Sequence, residues 1–229
     1  MTKDSFEQLL TAVSNRLTKD VRKSTTYHSP RDFENRTRQL LIELGSNEGI
    51  HIDLAPPAQL FPDIVALEFG IEVKVVNTDS WRTIANSVFE GTRDPGVKHI
   101  YVLYGKLGGT PTVRWGKYED CVMHVRTSHV PRFEVEIGAN ESLFTKFGIS
   151  YQDFCALESE GKMRYIREYA RERLKPGDRL WWLEDKPEES QEHSLPLEVR
   201  LYMGLSQEEK RRLRAEAALL SSGCEAVAL

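Results

Sequence analysis

Residues 60–76, LFPDIVALEFGIEVKVV, set a Pro-Asp pair on one apolar run and a Glu-Val-Lys triplet on the next. Both runs carry the β-branched and aromatic residues of buried strands, so two acids and a lysine are out of place there. In a strand, residues two apart share a face, which puts Glu72 and Lys74 together and turns Ile71, Val73 and Val75 the other way. A hairpin closed by an even-numbered loop around Glu68-Phe69-Gly70 sets Asp63 opposite an even-numbered residue of the second strand, and cross-strand partners share a face. An odd loop or a bulge would break that parity. With it, Asp63, Glu72 and Lys74 converge in one patch on an apolar sheet, where desolvating them is costly. Such a patch needs either solvent or a cation.

The flanking sequence supplies an ordered set of elements. Ser29, Pro30 at the first helical position, Asp32 in a capping-box pattern and Gly45 as a stop predict a helix over 30–44. Three short strand-like segments follow, 49–54, 59–67 and 70–76, separated by Pro, Ala and Gly. Trp81, Ile84, Val88 and Phe89 recur at helical spacing and predict a helix over 79–91, after which 97–105 returns as an apolar strand. The connection between the last two strands is long enough for a parallel crossover. Residues 105–137 are strand-like with glycine turns, 151–174 form a basic helix stopped by Pro176 and Gly177, and RLWWL (179–183) is apolar. The expected organisation is an α/β domain over 1–183 and, over 184–229, a polar linker with a C-terminal helix suited to dimerisation.

Two ionised carboxylates are a ligand set for a hard divalent cation, and Mg²⁺ takes one or two of them plus water and phosphate oxygens. A lysine alongside can orient a water and offset charge on a phosphate in flight, a combination suited to phosphodiester hydrolysis. Here the chain resembles the PD-(D/E)XK nuclease superfamily: Pro62-Asp63 is the PD half and Glu72-Val73-Lys74 the second. The order helix, three strands, helix, strand over 30–104 resembles that superfamily's core, αβββαβ, a restriction-endonuclease-like mixed β-sheet flanked by helices. The resemblance implies metal ligands at Asp63, Glu72 and the Val73 carbonyl, Lys74 positioning the attacking water, and Mg²⁺ as cofactor with Mn²⁺ as a substitute. Many enzymes of the superfamily carry an acid on the first core helix, which implies a catalytic place for Glu34; its other reading is an exposed i,i+4 ion pair with Arg38. Asp53 and Glu68 read as turn residues.

The regions around the core resemble a type II restriction endonuclease, an enzyme that cuts double-stranded DNA at a specific sequence. That implies DNA contacts from Lys106, Arg114, Lys117, Arg126, Thr127, Ser128, His129 and Arg132, side chains of the kind that hold phosphates or read base edges. Each of these also reads as the solvated edge of a sheet. It further implies a homodimer on palindromic DNA and a cognate DNA methyltransferase as genetic partner. Two alternatives stay open: a repair, recombination or transposon-associated structure-specific nuclease, and a non-catalytic DNA- or protein-binding module on a nuclease fold.

Composition narrows the field in other ways. A net charge of −4 gives no global attraction to nucleic acid, so clusters such as 16–23, 31–38 and 162–179 matter only locally, and each reads first as a solvated helix face. Cys121, Cys155 and Cys224 lie far apart, without CxxC spacing, and predict neither a disulfide framework nor a zinc knuckle. His124 and His129 lack the frame of a helical zinc site. Trp81, Trp181 and Trp182 read as core residues, while Trp115, between Arg114 and Lys117, has DNA contact as its other reading. No apolar run is long enough for a membrane span, and MTKDSFEQLL lacks the pattern of a signal peptide; a cytoplasmic protein is expected.

Overall fold

The computed structural model describes residues 1–23, 27, 29–46, 61–90, 93–127, 130–176 and 211–212. The chain divides into two compact units, Met1–Tyr169 and Ala170–Leu229, and the residues of the candidate site belong to the first. Its architecture is mixed α/β, with one four-stranded and one three-stranded sheet among the described residues and helices beside them. The expected strand 49–54, Asp53, Ser128, His129, the RLWWL segment and the 183/184 boundary lie outside the described residues. Of the expected C-terminal helix only Arg211 and Arg212 are described, and both are helical.

Helix α1 (Lys3–Arg22) opens on a Thr2 cap whose hydroxyl accepts from the Ser5 N–H, 3.2 Å. It buries Phe6, Leu9, Leu10, Val13, Leu17 and Val21, one stripe at helical spacing. Helix α2 (Pro30–Gly45) begins as its sequence predicts, with Ser29 and Asp32 closing a reciprocal capping box. Strands β1 (Ile64–Ala66), β2 (Phe69–Val76), β4 (His99–Lys106) and β5 (Thr112–Lys117) form the four-stranded sheet in the order β1-β2-β4-β5. The β1–β2 and β4–β5 pairs are antiparallel, and β2 runs parallel to β4, so the predicted crossover is present.

Register divides this sheet's faces. Ile71, Tyr101, Leu103 and Val113, with Val73, Val75 and Trp115 partly buried, pack with the apolar stripes of α1 and α2 into the main core. Gly105 lies in this layer because a side chain there would strike the Phe33 ring, its Cβ 2.7 Å from Cζ. The other face holds Glu72, Val102 and Gly116 in one row and Lys74, Tyr104 and Arg114 in the next. Trp81 and Ser80 sit on it: the Trp81 and Tyr104 ring centroids are 5.6 Å apart, and the Tyr104 hydroxyl donates to the Ser80 carbonyl, 3.2 Å.

The predicted helix at 79–91 does not form, so the αβββαβ order fails at its second helix. Residues Arg82–Ser87 are instead strand β3, an edge of the second sheet, β3-β7-β6, with β6 (Val122–Arg126) and β7 (Arg132–Glu136). Two forces override the helical spacing. Thr83 and Ile84 are β-branched, and Asn86 and Ser87 favour non-helical hydrogen bonding. Pairing with β7 also brings the Arg82 guanidinium onto the buried Glu134 carboxylate, Nε to Oε2 2.9 Å. Ile84, which the helix would have buried beside Trp81, is 38% exposed.

Between β5 and β6 the four-residue helix α3 (Tyr118–Cys121) buries Tyr118 completely. The helix expected over 151–174 is split into α5 (Tyr151–Ala156) and α6 (Ser159–Glu172) by extended backbone at Leu157. Together with α4 (Leu143–Phe147), α5 sets Phe144 and Phe154 against Phe133 of β7, with ring centroids 5.7 and 6.1 Å from it. Among the described residues, no helix is long and apolar enough to cross a membrane.

Candidate active site

The β1–β2 hairpin closes with a two-residue turn, Leu67–Glu68, since Ala66 pairs with Phe69 and Ile64 with Ile71. The loop is even-numbered, and its register carried one residue back puts Asp63 opposite Glu72. Strand β1 starts at Ile64, so at Asp63 the ladder passes from backbone to side chain: the Asp63 carboxylate accepts the Val73 N–H, Oδ2 to N 2.8 Å. A strand residue presents its N–H and C=O toward the same neighbour, so the Val73 carbonyl also faces the side where β1 has ended. Gly70 makes room for this corner, because a Cβ on it would overlap Pro62 Cγ and lie 2.9 Å from Val97 Cγ1.

Glu72 is 4% exposed. One carboxylate oxygen, Oε1, is 2.7 Å from Lys74 Nζ. The other, Oε2, is buried without a hydrogen-bond partner. A buried carboxylate oxygen without a donor carries the full cost of its lost hydration. Lys74 spans the boundary, its side chain 23% exposed, with the ammonium on Glu72 and an opening to solvent.

Helix α2 contributes from the side. Arg38, 2% exposed, donates through Nη1 to the Glu34 carboxylate and through Nη2 to the Asp63 carbonyl. The Glu34–Arg38 pair anticipated at the helix surface is thus buried at its arginine end and tied to the site's backbone. Three carboxylates, Asp63, Glu72 and Glu34, meet two cations, Lys74 and Arg38. The Asp63 carboxyl is pushed up from the usual range to about 7. Burial is the main cause and the Glu72 charge the next; Lys74 and the Val73 N–H act the other way, and Glu34 adds to the rise.

Tyr118, whose hydroxyl donates to Asn86 Oδ1, lies within reach of the Glu72 charge, as does Tyr151. Among the described residues no group of three or more His, Cys, Asp or Glu side chains is placed to hold a metal ion. Asp63 and Glu72 are two carboxylates beside the Val73 carbonyl, and a cation that keeps several waters, as Mg²⁺ does, takes no more than one or two carboxylates from the protein.

The predicted DNA-binding residues separate. Arg114 and Lys106 share the sheet face of Glu72 and Lys74, but the Lys106 ammonium is taken by the Asp79 carboxylate. Lys117 is at the other end of β5, beside a cavity of about 130 Å³ lined also by Lys3, Lys98, His99 and Tyr151. Arg126 and Arg132 belong to the second sheet, where Arg126 pairs with Glu134 at 2.8 Å. Arg38 and Trp81 are the residues whose place in the site the sequence reading missed. For Arg38 the available signal was its position between Thr37 and Leu40-Leu41 on the buried side of α2, where a solvated arginine does not belong.

No protein-family model matches the chain, and no curated protein matches it.

Proposed function

We propose that the chain is a Mg²⁺-dependent endodeoxyribonuclease of the PD-(D/E)XK superfamily that cuts double-stranded DNA at a specific sequence, as a type II restriction endonuclease does. The observation that carries this reading is the convergence of Asp63, Glu72 and Lys74 at the end of β1, with Glu72 Oε2 buried and unpartnered. Helix α2 ahead of the β1–β2 hairpin and the parallel β2–β4 pair support a restriction-endonuclease-like core, from which β3 departs in place of the expected helix.

In this reading Asp63, Glu72 and the Val73 carbonyl hold Mg²⁺, and Glu34 acts on the site through Arg38 and its charge. The metal, when bound, supplies Lewis-acid polarisation of the phosphodiester and lowers the pKa of a bound water. Hydrolysis forms a bond from a water oxygen to phosphorus and breaks the bond to the departing sugar oxygen, which ends protonated. Lys74, fixed by Glu72 on one side and open to solvent on the other, is placed to orient that water and to offset charge on the non-bridging oxygens. The neutral hydrocarbon of Val102, on the same face as Glu72 and fully buried, keeps the floor of the site dry.

One such site cuts one strand, so a double-strand break calls for two sites related by a two-fold axis, and a homodimer is part of the proposal. Supercoiled plasmid incubated with and without Mg²⁺ tests the function. Linear product that disappears with Asp63→Ala supports it; nicked circles alone point to a structure-specific enzyme, and intact plasmid under every metal condition points to a binding module. Sedimentation equilibrium with and without duplex DNA tests the dimer.

A further inference from the structure

The basic residues on the active face are not equivalent. Trp81 sits against Tyr104, and two cations lie over its ring: Lys106 Nζ is 5.4 Å and Arg114 Cζ 4.5 Å from the centroid. Lys106 is neutralised by Asp79 and only 12% exposed in its side chain. Arg114 is exposed, and its guanidinium makes no hydrogen bond or ion pair among the described residues. An arginine laid on an aromatic ring keeps its planar fork of donors pointing outward, with little freedom left to lose on binding. That fork matches two oxygens of one phosphate.

Position completes the argument. Lys74 pairs with Tyr104, and Tyr104 with Arg114, so Lys74 and Arg114 flank the buried Tyr104 on one face. Two strand spacings put their backbones about 10 Å apart, within the reach of one nucleic-acid strand crossing the sheet. We propose that Arg114, held in place by Trp81, anchors a backbone phosphate of the strand that enters the Asp63–Glu72–Lys74 site, a proposal that rests on the nuclease reading. Trp81 is a positioning residue in this arrangement, and Lys106 serves Asp79 rather than DNA.

Binding of a fluorescein-labelled duplex in EDTA, followed by anisotropy across a salt series, reads this contact without any cleavage. Arg114→Ala is expected to weaken binding about tenfold and to reduce the salt slope by about one, with the melting temperature lowered by at most a few degrees, since an exposed stacking contact is weak. Arg114→Lys recovers only part of the affinity, Trp81→Leu loses part of it with the slope intact, and Lys106→Ala loses less than Arg114→Ala. Under steady-state cleavage Arg114→Ala raises KM with kcat nearly unaltered. Wild-type protein that cuts DNA, with Arg114→Ala equal to it in affinity and KM, overturns the anchor and leaves the nuclease reading standing. Arg114-dependent binding by a protein that never cuts does the reverse, and a wild type that neither binds nor cuts overturns both.

Discussion

The Asp63 carboxylate accepts the backbone N–H of Val73, 2.8 Å away, in the place where the backbone of β1 would otherwise continue the ladder. Burial and, next, the charge of Glu72 push the same carboxyl up to about 7. Its folded value lies above the ordinary carboxyl value, so the fold favours the neutral acid. This contribution to stability is complete below about pH 4 and is lost as the pH rises through 7. Asp63→Asn, neutral throughout, is therefore expected to be more stable than wild type by about 1–2 kcal/mol at pH 8 in EDTA and equal to it near pH 4. Saturating Mg²⁺ should stabilise the wild type and leave the variant unmoved. Urea denaturation at the two pH values, with and without Mg²⁺, measures all four terms; a variant less stable than wild type at pH 8 in EDTA would contradict the account.

Glu72 and Lys74 make opposite predictions for stability and the same one for activity. Removing the ammonium with Lys74→Met leaves a carboxylate that is 4% exposed without its partner and should cost about 1–3 kcal/mol. Glu72→Gln removes the buried charge, keeps the shape, and should be neutral or stabilising. Under the proposed function each is expected to lower the single-turnover cleavage rate at least a hundredfold, since that reading puts both groups where charge develops. Cleavage by Lys74→Met at the wild-type rate would remove the lysine from the mechanism.

The hairpin parity was legible because it needs only the period of two and an even turn, and Leu67–Glu68 supply that turn. The α2 boundaries were legible because Ser29, Pro30 and Asp32 are local signals. β3 was not, since the spacing of Trp81, Ile84 and Val88 fits a helix until the partner strand Arg132–Glu136 is known, some fifty residues away in the chain. The burial of Arg38 was equally hidden: an i,i+4 Glu-Arg pair looks the same in sequence whether it faces water or the end of a neighbouring strand. Trp81 was read as a core residue, and the two cations on its ring come only with β4 and β5, which bring Lys106 and Arg114 to it.

Arg38 joins the helix to the corner that holds Asp63, so its loss should reach the candidate site. Arg38→Met leaves the Glu34 carboxylate and the Asp63 carbonyl without their shared donor and is expected to cost about 2–4 kcal/mol. Glu34→Gln, which keeps a hydrogen bond to Arg38 but leaves a guanidinium that is 2% exposed without its counter-charge, should cost about 1–3 kcal/mol and raise the Mg²⁺ midpoint of cleavage. Mg²⁺ titration of activity checks this beside thermal melts. A midpoint equal to wild type in Glu34→Gln would leave the acid as the arginine's partner alone.

Gly70 tests the corner without touching a charged group. A methyl there meets Pro62 and Val97 at once, and neither can retreat, because Val97 is buried and Pro62 leads directly into Asp63. Gly70→Ala is expected to lose about 1–3 kcal/mol by overpacking and to displace Asp63 from the Val73 N–H. The second effect should appear as a cleavage rate down at least tenfold at a temperature where the variant is still folded, since small misplacements of catalytic groups are costly. Circular dichroism fixes that temperature, and single-turnover cleavage there supplies the comparison. Wild-type cleavage from a folded but destabilised Gly70→Ala would show that the Pro62–Gly70 contact stabilises the hairpin without positioning the acid.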